Sequence, residues 1–113
     1  MPFNEDLVNK IRELLADQIQ VEEKRMFQGL CFMVNDKLCL CVMHDNILCR
    51  VGEEIASLEL EKGNCVQMMH SGRPMKNYVY VEDVSLQSSG ELLYWVKLCL
   101  DFNVYAKSSK RKR

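Results

Sequence analysis

Near the start of the chain, Leu7, Val8, Ile11, Leu14, Leu15 and Ile19 recur at helical spacing, while Asn9, Lys10, Arg12, Glu13 and Asp17 fall on the opposite side. This pattern predicts a surface helix with one buried stripe from about Asn4 to Ile19. Asn4 is placed to cap it, and Glu5 and Asp6 lie in the first turn, where the helix dipole favours acids. From Glu22 the rhythm changes. Glu22–Phe27, Leu30–Asn35, Lys37–His44 and Ile47–Val51 are strand-like runs. Asn35-Asp36 and Asp45-Asn46 separate apolar runs as hairpin turns do. Gly29 reads as a bend or bulge within one long strand rather than a full turn.

Gly52-Glu53-Glu54 opens a short second helix, with Ile55, Leu58 and Leu60 on its apolar face and Gly63 as its stop. Cys65–His70 and Tyr78–Glu82 are two further strands, joined by a loop containing Ser71-Gly72-Arg73-Pro74. Ser88 and Glu91 have the spacing of a capping box. They start a last helix whose stripe is Leu92, Trp95, Val96, Cys99, Leu100 and Phe102, with Trp95 expected to be buried. The order α-β(3)-α-β(2)-α, with local hairpins, implies the α+β class: an antiparallel sheet of about five strands with helices on one side. Residues 1–106 read as one domain, and Lys107–Arg113, which lacks apolar side chains, as a disordered basic tail.

A chain of 113 residues, 48% apolar, is long enough to bury a core without a disulfide or metal. The polar, acidic start does not have the form of a signal peptide. The longest apolar run, Leu38–Met43, is too short to span a bilayer. Both points lead to the expectation of a soluble cytoplasmic protein. The formal charge of −1 hides an asymmetry, because the tail supplies five of 15 basic residues and leaves 10 bases against 16 acids elsewhere. An acidic body argues against a nucleic-acid reader. Lys107, Lys110, Arg111, Lys112 and Arg113 offer at most weak, sequence-blind phosphate contacts.

Six cysteines, Cys31, Cys39, Cys41, Cys49, Cys65 and Cys99, are expected to be reduced and packed as small hydrophobes. No pair has the C-x-x-C spacing of common zinc and redox sites. With two-residue turns at Asn35-Asp36 and Asp45-Asn46, Phe32 faces Cys39, Cys31 faces Leu40 and Cys49 faces Val42. Cys39 and Cys41 then share one face and Cys31 and Cys49 the other, so no single ion is shared, although a one-residue slip would reverse the argument. No metal or cofactor is expected. Catalysis by a thiol would need a histidine, a cation or a helix N-terminus beside it. His44 and His70 are the histidines available, at strand ends.

The same register places Leu30, Phe32, Val34, Cys39, Cys41, Met43 and Leu48 on one face, and Cys31, Met33, Leu38, Leu40, Val42, Ile47, Cys49 and Val51 on the other. Helices on one side cover only one of these two apolar faces. The other is expected to form a homodimer interface, with Leu30, Phe32, Cys39, Cys41, Met43 and Leu48 as its contacts.

Three segments carry a resemblance. Glu22-Glu23-Lys24-Arg25-Met26-Phe27-Gln28-Gly29 is similar to the segment that opens the sheet in the N-terminal domain of the TfoX/Sxy competence regulators, where the form is Arg-Met-Phe-Gly-Gly. Gly72-Arg73-Pro74-Met75-Lys76 with Tyr78-Val79-Tyr80-Val81, and Leu48-Cys49-Arg50-Val51-Gly52, match further along. Each motif is short; their order and spacing give the likeness its specificity, over essentially residues 4–103. Gln28 departs from the family by standing in place of a glycine. The likeness does not reach the second, C-terminal domain of full-length TfoX proteins, so the sequence reads as a stand-alone N-terminal domain. The resemblance implies an antiparallel sheet with helices on one side and a link to the regulation of DNA uptake.

Arg25, Arg73 and Lys76 come from the matching segments and are candidates for a contact with an anion or a protein partner. Ordinary surface ion pairs are the competing explanation. These features favour a non-enzymatic regulatory or protein-interaction domain. The rival is a thiol-based sensor or small enzyme using a cysteine near His44 or His70.

Overall fold

The computed structural model describes residues 3–26, 29–83 and 88–106. Helix α1 spans Glu5–Leu14, and the side chain of Asn4 caps it by accepting from the Leu7 amide at 3.0 Å. It buries Leu7, Val8 and Ile11. The helix stops five residues short of Ile19, which is 95% exposed instead of continuing the buried stripe.

Four strands follow: β1 (Val21–Met26), β2 (Gly29–Val34), β3 (Lys37–Met43) and β4 (Asn46–Arg50). β1 and β2 are separate antiparallel strands that close at Met26 opposite Gly29. Gly29 therefore begins a strand rather than bending one, and the sheet has six strands where about five were expected. A Cβ at Gly29 would run into the Val42 carbonyl and the Met43 side chain, so β2 and β3 approach too closely there for any other residue.

The β2–β3 turn is Asn35-Asp36 as expected, with both residues in the left-handed region (φ 54 and 64). Two irregularities then reset the register. Phe32 pairs with Leu40 but Met33 with Leu38, so Cys39 is the extra residue of a β-bulge. The β3–β4 turn closes at Met43 opposite Asn46, one residue earlier than expected, with His44 at φ 55.

Helix α2 (Glu53–Lys62) follows, with Gly63 as a left-handed C-cap. It buries Ala56 and Glu59, whereas Leu58 is half-exposed. β5 (Val66–His70) and β6 (Arg73–Val81) form a second hairpin, and β6 returns to pair with β4, giving the order β1-β2-β3-β4-β6-β5, antiparallel throughout. Arg73 and Pro74 belong to β6 and not to a loop. Helix α3 (Ser89–Asn103) is capped by Ser88, which accepts from the Glu91 amide.

One core lies between sheet and helices. Leu7, Val8 and Ile11 of α1, Ala56 of α2 and Trp95, Val96 and Cys99 of α3 pack there on Phe32, Leu40, Val42, Ile47 and Val79. A second, smaller cluster, Cys31, Met33, Leu38, Cys41 and Leu48, lies on the other face. The architecture is α+β, a six-stranded antiparallel sheet with three helices described.

Candidate functional site: the helix-free face of the sheet

The bulge at Cys39 corrects the expected face assignment. Leu30, Phe32, Val34 and Cys39 lie in the core under the helices, whereas Cys41, Met43 and Leu48 lie on the helix-free face. Leu40, Val42, Ile47 and Cys49, expected with Cys31 on the other face, also belong to the helix side. The expected set of dimer contacts is therefore divided between the two faces.

On the helix-free face Cys31 stands directly opposite Cys41, with Cα atoms 4.0 Å apart, and the two are joined by a disulfide. The expectation of six reduced thiols is thus corrected at these positions. Around them Met26, Met43, Met68, Tyr78 and Tyr80 form a half-buried layer, and none of the described helices packs on it. Tyr80 is held by Asn46, whose side-chain amide donates to its hydroxyl at 2.8 Å. Burial raises the Tyr78 phenol, against the opposing effect of the Arg50 guanidinium 5.9 Å from its ring centre. Glu22 and Lys24 share this face through their pairing with Met33 and Cys31, and give the β1 end a polar rim. At the other end a cavity of about 150 Å³ is lined by Leu38, Leu48, Met68, His70, Met75 and Tyr78.

The remaining cysteines are free. Cys39, Cys49 and Cys99 meet under the helices, where Cys99 exchanges hydrogen bonds with the other two. The hydrogen bond that the Cys39 thiol donates to Cys99, then burial, raises Cys39; burial raises Cys99. Cys65 is pushed up to about 11 by burial and by Glu59. A reactive cysteine requires the opposite shift, toward the thiolate. His44 sits in the β3–β4 turn, where its carbonyl accepts from the Asn4 amide at 2.8 Å. His70 lines the cavity just described. Among the described residues no three His, Cys, Asp or Glu side chains are grouped to hold a metal ion.

Arg25, Arg73 and Lys76 are not brought together. Arg25 lies on β1 at one edge of the sheet, with its guanidinium 5.5 Å from the centre of the Phe3 ring. Arg73 and Lys76 lie on β6, four strands away, roughly 19 Å at ordinary strand spacing. The Glu23 carboxylate, a candidate partner for Arg25, is held instead by Arg12 of α1 through two bonds of 2.7 Å. The basic residues Lys107, Lys110, Arg111, Lys112 and Arg113 lie outside the described residues.

A polar cluster that the sequence did not bring forward ties α2 to α3. Glu59, buried, accepts from the Tyr94 hydroxyl, from Asn64 at 3.0 Å and from Lys62 at 3.1 Å. Burial alone would raise this carboxyl, but the three hydrogen bonds outweigh it and hold it below the ordinary carboxylate range. A glutamate on the expected polar side of a helix carries no sign that it will be buried. The partner that makes burial possible is thirty-five positions away.

The order of elements, the antiparallel sheet with helices on one face and the matching motifs define an α+β domain of TfoX type. The family model for the TfoX N-terminal domain matches residues 13–103, and the chain belongs to that family. No curated protein and no solved structure matches it. No helix among the described residues is long and apolar enough to cross a membrane.

Proposed function

We propose that the domain is a non-enzymatic regulatory module that acts by protein contact, and that a second copy of the chain docks on its helix-free face. The regulatory part of this reading rests on membership of the TfoX family. The docking part rests on the apolar cluster opposite the helices. Among the described residues, Cys31, Met33, Leu38, Cys41 and Leu48 are overlaid by the half-buried methionine and tyrosine layer alone. A sheet with water on one face alternates polar with apolar residues, and this face does not. Flexible methionines and amphipathic tyrosines suit a contact surface. A two-fold pairing buries the same patch on both copies and closes without further growth. Sedimentation equilibrium at micromolar concentration tests the reading. A dimer mass is expected, and a monomer mass rules it out.

A thiol-based sensor is the second reading, and the observation that favours it is the Cys31–Cys41 pair rather than a cysteine beside His44 or His70. Closing the bridge takes one proton from each thiol and two electrons from the pair. An incoming small-molecule disulfide accepts them and leaves as two thiols. Equilibration against glutathione couples of graded poise, read by intact mass, should convert the pair between two states differing by two hydrogens. A pair that stays in one state across the whole range of couples eliminates this reading.

A further inference from the structure

Met68, His70 and Met75 line one cavity of about 150 Å³ at the β5–β6 end of the helix-free face. The hairpin explains why they meet. His70 pairs with Arg73 and Met69 with Pro74, around a turn in which Ser71 and Gly72 both have left-handed backbone (φ 52 and 77). Beyond Met69 the register shifts, with Gln67 pairing with Val79, and Met68 and Met75 lie within this irregular stretch and both line the cavity. There the regular ladder gives way to Gln67, whose side-chain amide donates to the Met68 carbonyl at 3.1 Å and the Met75 carbonyl at 2.9 Å. Residues two apart on a strand share a face, so His70 joins Met68. Two methionines and a histidine that line one cavity of about 150 Å³ are long enough to converge on a point within it.

Beside the Tyr78 phenol, which burial holds in its protonated form, the donors on offer are two thioethers and one imidazole. None is a carboxylate, so Ca²⁺ and Mg²⁺ lack the oxygen ligands they require. Zn²⁺ sites are built from thiolate, imidazole and carboxylate, and only one of these donors is of that kind. Thioether sulfur is soft and selects Cu(I). Charge acts in the same direction. Neutral donors do not offset the charge of an ion, and Arg73 shares the face through its pairing with His70. The cost of taking an ion out of water grows steeply with its charge, so a monovalent ion is favoured over a divalent one. Gap-filling accounts for one methionine in a sheet face. It does not account for a second thioether and an imidazole around the same open space. We propose that Met68, His70 and Met75 form a binding site for a soft monovalent metal ion of the Cu(I) class.

Silver(I), a redox-inert probe of the same class, tests the site in the full chain carrying ¹³C-labelled methionine methyls. At one equivalent the Met68 and Met75 methyl resonances should shift together and then stop, while those of Met26, Met33 and Met43 stay in place. Met68→Leu combined with Met75→Leu, a volume-conserving change, should weaken binding by more than the about 10–100-fold that even outer-shell substitutions cost. His70→Ala should weaken it at least about tenfold. Methyl resonances that do not move at one equivalent overturn the proposal, and they decide it even if a variant fails to fold. Undiminished affinity in the folded double variant overturns it too, as do methyl shifts that vanish in Cys65→Ser, since binding would then belong to a thiol.

Discussion

Cys31 and Cys41 face each other across β2 and β3 with their Cα atoms 4.0 Å apart, and a disulfide joins them beneath the helix-free surface. This relationship exists because Cys39 bulges out of β3. Without the extra residue Cys41 would point into the helix-side core.

The bridge closes a loop with a sequence separation of 10. Chain-entropy arguments give a loop of that size about 2–3 kcal/mol of stabilisation, through restriction of the unfolded chain. Reduction should therefore lower the unfolding free energy by about that amount while the ladder pairs on either side keep the sheet formed. Urea melts with and without reductant measure it. Coincident midpoints would show that the pair does not constrain the unfolded chain.

Gly29 supports the same strand pairing from the other end of β2. An added methyl would meet the Val42 carbonyl, which the sheet holds in place, and the Met43 side chain. Gly29→Ala should cost about 1–3 kcal/mol, as overpacking does. A thermal melt of this variant that superimposes on the parent would show that the strands separate freely at this point.

Much of the fold follows from local chemistry. Asn4, Asn35-Asp36, Gly63 and Ser88 each mark the boundary their side chain or backbone enforces. What escapes is parity. The runs around Cys31, Cys39 and Cys49 are apolar on both faces, so the alternation that would reveal a one-residue slip is missing. The bulge at Cys39 and the early turn at His44 leave no trace in such a pattern. The expected sharing of one face by Cys39 and Cys41, and of the other by Cys31 and Cys49, failed with them, and the expected dimer contacts are divided between the two faces, although the four cysteines still fall two on each side. Inferences from helical periodicity, such as burial of Trp95, do not depend on register.

Trp95 is 1% exposed on the buried side of α3, within the helix-side core. Trp95→Ala should destabilise by about 3–5 kcal/mol, through lost transfer energy and the cavity left behind. Chemical denaturation followed by circular dichroism measures this without the tryptophan signal. A loss under about 0.5 kcal/mol would place the residue on the surface.

Glu59 links α2 to α3 as a carboxylate, through Tyr94, Asn64 and Lys62. Its folded-state pKa lies below the ordinary value of 4.5. Its contribution to stability is thus complete above 4.5 and is lost as pH falls through the folded-state value. Glu59→Gln should flatten the stability–pH curve below 4.5 relative to the parent chain. Tyr94→Phe should cost about 1–2 kcal/mol at neutral pH, the lower end for a hydrogen bond to a charged group, because the donor Tyr94 is exposed. Parallel curves for Glu59→Gln and its parent on the acid side would mean that the carboxyl is not the group responsible.

The corrected register also changes how the dimer is to be broken. Phe32 is fully buried under the helices and Met43 is half-buried on the opposite face, although a continuous alternation would place them together. A lysine at Phe32 puts an unpaired charge into the core, where its desolvation is not compensated, and the domain should unfold. A lysine at Met43 can extend its charged end into water along the helix-free face, so the fold should persist. In a dimer built on that face the same charge would be trapped between two copies of itself across the two-fold axis. Met43→Lys should therefore yield a folded monomer, whereas Phe32→Lys should yield no folded protein. Sedimentation together with circular dichroism separates the outcomes. A folded Met43→Lys protein that remains dimeric would move the interface off this face, to an exposed edge such as β5, where Val66 is 44% and Met69 52% exposed.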